Sequence, residues 1–310
     1  MKKGHFYRKY IRPVKHAVGY LIILKCIFLI RITPRTLVLS IGSFIGRLVF
    51  WLSRRDRDIA LKNIKIAFPE MDDIARKSLA KECFRQSVMN LVDMVRARSI
   101  VESDPPIWEI EGEEYIADVK KRFGGGVVIT GHIGCFEIMA GIWRSRGFDV
   151  AAVGRRLFDK NIDRILVKQR KKMGIENIPS DAHPRRVISM IKKGYLIGTL
   201  IDTYTKSVDG IAAPFFGRNV RTISAPAGLA RLTGTPLLPM AIFRTGKKRF
   251  LLKVWPPIEI PRTRDKAADI RELLLKSNEA IETMIRYRPD QWIWYHDRFR
   301  ESETPANVHK

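Results

Sequence analysis

A histidine and a glutamate five residues apart, in Gly131-His132-Ile133-Gly134-Cys135-Phe136-Glu137, are the pair in this 310-residue chain best suited to moving a proton. A carboxylate bonded to one ring nitrogen fixes the histidine's tautomer, leaves the other nitrogen free as a base and stabilises the imidazolium that forms. Such a pair suits deprotonation of an alcohol as it attacks an activated acyl carbon. On one regular helix the two side chains would point about 140° apart. They meet if His132 sits in a loop and Glu137 in the first turn of the following helix. Spacing alone fits a loop histidine salt-bridged to a glutamate equally well.

Competing chemistries nearby are weaker. Gly126 to Gly131 has the glycine spacing of a phosphate-binding loop, but His132 stands where lysine is required and Ile133 where Ser or Thr is required. Cys135 lies between apolar residues and reads as packing rather than as a thiol nucleophile. No GxSxG elbow is present for a serine hydrolase. His132, His183 and His296 lack partner spacings such as HExxH, so no metal site is expected, and direct transfer without a cofactor or a covalent enzyme intermediate is the simplest scheme.

These residues need a scaffold, and the pattern from Trp108 onward supplies one. Short strands are expected at Trp108–Ile110, Gly126–Thr130, Val150–Val153, Tyr195–Ile201, Leu237–Phe243, Phe250–Val254 and Trp292–Tyr295. Helices are expected at Glu113–Lys121, Phe136–Arg144, Asn161–Met173, Pro184–Lys192, Ala225–Leu232 and Lys266–Arg286. The alternation argues an α/β fold with one mostly parallel sheet. His132 then falls just past a buried strand, where open α/β sheets bind ligands. Residues 58–100 read as helices that pack something and carry no chemistry.

The rest of the chain bounds the setting. Lys and Arg number 57 against 32 Asp and Glu, a net charge of +25 that favours polyanionic partners. Cys26, Cys83 and Cys135 form no CxxC pair, which fits a reducing cytoplasm. After a basic opening, Ala17–Ile30 and Thr36–Leu52 are apolar apart from Lys25 and Arg47. Neither run reaches the roughly 20 clean residues of a spanning helix. The sequence Arg31-Ile32-Thr33-Pro34-Arg35 offers no signal-peptide cleavage site. The expected organisation is a basic membrane anchor over residues 1–57, a catalytic α/β domain with a helical N-terminal part over 58–300, and a flexible tail over 301–310. In that reading the anchor lies in or dips into the bilayer, with its basic residues at the headgroups and the domain on the cytoplasmic face. Two buried helices of a soluble domain are the alternative. A nucleic-acid-binding protein, a reading from another class, is disfavoured: the basic residues are spread along the chain, and no zinc finger, RRM-like signature or basic zipper accompanies them.

Beyond the HxxxxE motif, the chain carries Asn63-Ile64-Lys65-Ile66-Ala67-Phe68-Pro69-Glu70, Phe215-Phe216-Gly217, Ala225-Pro226-Ala227-Gly228-Leu229-Ala230, Thr235-Pro236-Leu237-Leu238-Pro239 and Pro289-Asp290-Gln291-Trp292-Ile293-Trp294-Tyr295-His296-Asp297-Arg298. In this order and spacing the chain resembles the lipid A biosynthesis late acyltransferases (lauroyl and myristoyl) of the lysophospholipid acyltransferase-like group. The resemblance implies a glycerol-3-phosphate acyltransferase-like sheet flanked by helices. It also implies transfer of a fatty acyl chain from acyl carrier protein to a hydroxyl of a phosphorylated glycolipid, a lipid A precursor, at the bacterial inner membrane in lipopolysaccharide biosynthesis. By the same likeness His132 is the general base and Glu137 its orienting partner. The basic stretch with Arg155, Arg156, Arg164 and Arg170 matches the family's arginine-rich region, where an arginine, Arg156 or Arg164 by preference, can hold a lipid phosphate or an oxyanion. Asp202 opens Asp202-Thr203-Tyr204 where many relatives carry Asp-Gln, and is a candidate positioning residue. Phe215 and Phe216 read either as the lining of an acyl channel or as core. Phosphatidylinositol mannosides or lysophospholipids, with acyl-CoA as donor, are the alternative substrates. Acyl carrier protein, anionic bilayer and phosphorylated glycolipid are all negative, which accounts for the charge.

Overall fold

The computed structural model describes residues 12–157, 159–204, 210–259 and 262–300, with side chains from residue 18. The tail over 301–310 and most of the basic opening lie outside these residues. Five helices precede the first strand: α1 (Arg12–Ile32), α2 (Arg35–Leu52), α3 (Arg54–Ala67), α4 (Asp73–Val95) and α5 (Ala97–Val101). Then follow β1 (Trp108–Glu111), α6 (Glu113–Phe123), β2 (Gly126–Thr130), α7 (Phe136–Ser145), β3 (Val150–Gly154), α8 (Lys160–Lys172), β4 (Glu176–Pro179), α9 (Pro184–Lys192) and β5 (Leu196–Leu200). The chain continues through β6 (Gly210–Phe215), β7 (Arg218–Ile223), α10 (Ala225–Thr233), β8 (Leu237–Thr245), β9 (Arg249–Val254) and α11 (Lys266–Tyr287).

Seven strands form one sheet in the order β1-β9-β8-β2-β5-β3-β4, parallel everywhere except between β8 and β9. β2 is buried along its whole length, as its apolar composition requires of a central parallel strand. Because strand side chains alternate, Val127 and Ile129 enter one core with Ile197, Phe215, Trp292 and Ile285. Val128 enters the other with Leu238, Ile138 and Trp143.

Three elements depart from the sequence reading. β4 was not expected. The segment around Phe215-Phe216 is an antiparallel hairpin, β6 with β7, turning at Phe216 and Gly217, both at positive φ (46° and 70°). Phenylalanine disfavours that region. Phe216 is held there by rings of Phe68, Phe215 and Trp294, by Arg286 stacked on its face, and by its backbone N–H donating to Glu282 at 2.8 Å. Phe215 and Phe216 are therefore core. Finally, Trp292–Tyr295 is not a strand: Trp292 makes one isolated bridge to Ile133, and the rest is turn. Side chains satisfy this backbone instead, since Asn63 Nδ2 donates to the carbonyls of Trp294 and His296, and Trp294 Nε1 donates back to Pro289.

The N-terminal helices are docked onto the domain. α2 buries Val38, Leu39, Gly42, Gly46 and Phe50. At Gly46 a Cβ would come within 2.6 Å of the Arg85 Cα, so α2 and α4 touch backbone to backbone. α2 is long and apolar enough to cross a membrane by length and composition, but its inner face is occupied by α4. Its outer face exposes Leu37, Ile41, Phe44, Leu48, Trp51 and Leu52, and α1 exposes Leu21, Ile22, Phe28 and Ile32.

An ion-pair network ties these parts together. Asp93 of α4, fully buried, accepts from Arg35 at 2.8 and 2.9 Å and from Arg244 of β8 at 2.5 Å. Removing one partner of a buried ion pair costs about 3–5 kcal/mol. Asp93→Ala should lower unfolding stability by about that amount, read by denaturant titration. A loss no larger than that of an exposed aspartate variant such as Asp58→Ala would show that the network does not hold the parts together.

Candidate active site

Register builds the site. β2 and β5 pair in parallel with Thr130 opposite Leu200, so the residues two further on, His132 and Asp202, emerge side by side at the strands' C-terminal ends. Asp202 Oδ1 lies 2.8 Å from His132 Nδ1, and Asp202 Oδ2 accepts the His132 backbone N–H and the Trp292 indole N–H, each at 2.7 Å. Gly131 leaves room for this carboxylate, because a Cβ there would sit 3.0 Å from Asp202 Oδ2. Gly134, at φ 56°, turns the loop so closely over Ile242 that a Cβ would overlap its carbonyl oxygen.

The electrostatics fix the proton. Burial alone would raise the Asp202 pKa, but His132 and the two N–H donors outweigh it and hold the carboxyl down at about 2. Burial would lower the His132 pKa, and the charge and hydrogen bond of Asp202, with the charge of Glu137 behind them, reverse this and raise it. An ionised Asp202 only accepts, so the His132 proton sits on Nδ1. Among the described residues nothing bonds Nε2, and the ring is 30% exposed. His132 thus presents a basic nitrogen that no described residue engages.

The carboxylate bonded to His132 is Asp202, not Glu137. Glu137 occupies the first turn of α7 and is buried against Arg170 of α8 in a two-pronged pair, Oε2 to Nε at 3.0 Å and Oε1 to Nη2 at 2.5 Å, while Arg170 Nη1 donates to Asn177 of β4 at 2.6 Å. Glu137 therefore locks the loop's exit helix to the β4 edge of the sheet and reaches His132 through its charge alone. Arg155 and Arg156 are exposed, with Arg156 only 3.8 Å from a similarly exposed Asp181. Arg164 is exposed and bonds Asn161 at 3.3 Å. None of the three bonds His132, Asp202 or Glu137. Cys135 is buried, and desolvation raises its thiol pKa far out of the nucleophilic range.

Sequence reasoning did not foresee how the segment after Trp292 serves the site. Trp292 fixes Asp202, His296 Nε2 accepts the Tyr204 backbone N–H at 2.8 Å, and Arg298 donates to the carbonyl of Arg221 at 2.6 Å. Burial lowers the His296 pKa, which keeps it neutral and suited to that accepting role. The Trp-x-Trp-x-His-x-Arg spacing was visible, but not the strand end it grips.

Comparison with known proteins decides the family. The family model described as bacterial lipid A biosynthesis acyltransferase matches residues 5–301. The chain belongs to that family. This acyltransferase is similar to the lipid A biosynthesis palmitoleoyltransferase of Escherichia coli K12, with 25% identity over 275 residues, 86% of each chain. It is also similar to the lauroyltransferase of the same organism at 24% over the same share, and to its myristoyltransferase at 23%, over 82% of this chain and 77% of that one.

The Glu137–Arg170 pair yields a test. Glu137→Ala leaves a buried guanidinium uncompensated and should lower stability by about 3–5 kcal/mol. Glu137→Gln keeps an acceptor and should lose less. Thermal unfolding compares them, and equal losses would show that charge pairing with Arg170 does not anchor α7.

Proposed function

We propose that this acyltransferase moves a fatty acyl chain from acyl carrier protein to a hydroxyl of a lipid A precursor at the cytoplasmic face of the bacterial inner membrane, with His132 as base and Asp202 as the carboxylate that orients it. The observation that carries the mechanism is the His132 Nδ1 to Asp202 contact at 2.8 Å, with Nε2 bonded to none of the described residues. The family match supports the lipid A step. A histidine set just after a central parallel strand also supports reading the domain as glycerol-3-phosphate acyltransferase-like.

In this scheme the acceptor hydroxyl gives its proton to His132 Nε2 as its oxygen attacks the thioester carbonyl. The imidazolium is stabilised by Asp202. As the tetrahedral intermediate collapses, the C–O bond is kept, the C–S bond breaks, and His132 returns the proton to the departing thiolate. Glu137 holds the loop through Arg170. The exposed apolar faces of α1 and α2 support a membrane-lying anchor, with α2 pressed between bilayer and α4 rather than crossing alone.

His132→Ala should reduce kcat/KM by about 10²- to 10⁴-fold while membrane association is kept. Full activity in this variant would sink the mechanism. The raised His132 pKa places the acid limb of the rate profile above the ordinary histidine value of 6.5, because the base form appears only above it. Asp202→Asn removes the charge that raises it, so the limb should move to lower pH while the maximal rate falls. An unmoved limb in a pH series would remove Asp202 from that role. Mass spectrometry of lipid A from cells with and without the protein should show one acyl group missing. If labelled acyl carrier protein fails as donor while acyl-CoA succeeds, or only another lipid is acylated, the substrate assignment falls and the acyl-transfer mechanism stands.

A further inference from the structure

A cavity of about 540 Å³ opens between α1, the end of α4 with α5, and α8. Among the described residues, six cations line it, Arg31, Arg96, Arg98, Arg164, Lys168 and Lys172, and no carboxylate does. Of the six, only Arg98 has an acidic partner among the described residues, Glu102 at 2.8 Å. Arg96 is committed to backbone carbonyls, donating to Ile30 at 2.8 Å and also to Thr33, so its charge is not neutralised. Burial, with Arg35 nearby, lowers its pKa, although Asp93 opposes this.

The helical spacing shows how the cavity is made. On α8, Arg164, Lys168 and Lys172 recur every four residues and form one stripe, while Arg170 turns to the opposite side to hold Glu137. On α1, Tyr20, Leu24 and Ile27 supply an apolar wall on the cavity side, and Leu21, Ile22 and Phe28 are exposed next to it. One helix therefore carries both a cavity wall and an outward apolar face. An anion bound here has a cationic recess for its head and an apolar helix beside it for a tail. A recess of this size suits a compact charged group better than the broad surface of an acidic protein.

We propose that this cavity, none of whose lining residues bonds His132 or Asp202, binds the phosphate headgroup of a net-anionic membrane lipid. The inference rests on the membrane placement of α1 given above and not on acyl transfer.

The test uses the full chain with vesicles of phosphatidylcholine alone or doped with phosphatidylglycerol. Lys168→Ala/Lys172→Ala should weaken binding to the doped vesicles by about 10- to 30-fold and leave binding to neutral vesicles unchanged. Lys192→Ala/Lys193→Ala, which removes the same charge beside the start of β5, should weaken it much less. Equal losses in the two double variants would reduce the effect to general surface charge and overturn the proposal. So would intact binding to doped vesicles accompanied by lost binding of acyl carrier protein, which would make the recess a protein-docking site. Failure of wild-type protein to bind neutral vesicles would instead refute the membrane placement. Two supporting outcomes separate the source of the phosphate. Phospholipid retained through purification by wild type and lost by the variant identifies a resident lipid. A raised KM for a phosphorylated glycolipid acceptor, with kcat unchanged, identifies the acceptor itself.

Discussion

The parallel pairing of β2 with β5 is the constraint on which the rest depends. It sets Thr130 beside Leu200 and carries both chains past the sheet edge in step, so that His132 and Asp202 arrive within hydrogen-bonding distance. Locally the imidazole meets the ring of Phe136 edge-on at 5.2 Å, but its hydrogen-bond partner comes from another strand. The sheet supplies the partner from 70 residues away, and with both faces of β2 packed, a one-residue slip would push every side chain into the opposite core. Gly131 and Gly134 permit the close approaches this arrangement demands.

Around this pair the chain uses three layers of support. Trp292 and the backbone N–H of His132 complete the shell of Asp202. The turn that follows Trp292 is itself held by Asn63 of α3, which links the helical N-terminal part to the site. Glu137 and Arg170 lock α7 to the β4 edge. A residue read from sequence as part of a catalytic pair thus fixes the position of the helix that follows the loop carrying His132.

How much of this was legible in sequence follows from the range of each interaction. β2, β5 and the helices from Glu113 to Arg286 show periodicities that depend on neighbours a few residues away, and the structure has them within a few positions. His132 stood out because a histidine just past a buried strand has a functional address. Asp202 stood at a comparable strand end and was recognised as a candidate, but its partner was not, because strand order is not written locally. Glu137 was assigned to His132 by proximity along the chain, whereas space put Arg170 nearer. The hairpin at Phe216 was hidden by a phenylalanine in a conformation that usually calls for glycine, an exception sustained by its ring contacts. Trp292–Tyr295 has the alternation of a strand, but side chains rather than a neighbouring strand take up its hydrogen bonds.

The backbone contact at Gly46 has a mechanical consequence. With α2 seated directly on α4, and α4 tied through Asp93 to β8, the apolar surface is linked by direct contacts to the sheet that carries His132. In the proposed membrane-lying placement of the apolar faces, the height of the imidazole above the headgroup plane becomes a built-in dimension of the protein. Under the proposed function the protein would then act as a depth gauge, selecting a lipid hydroxyl by how far it stands above the membrane.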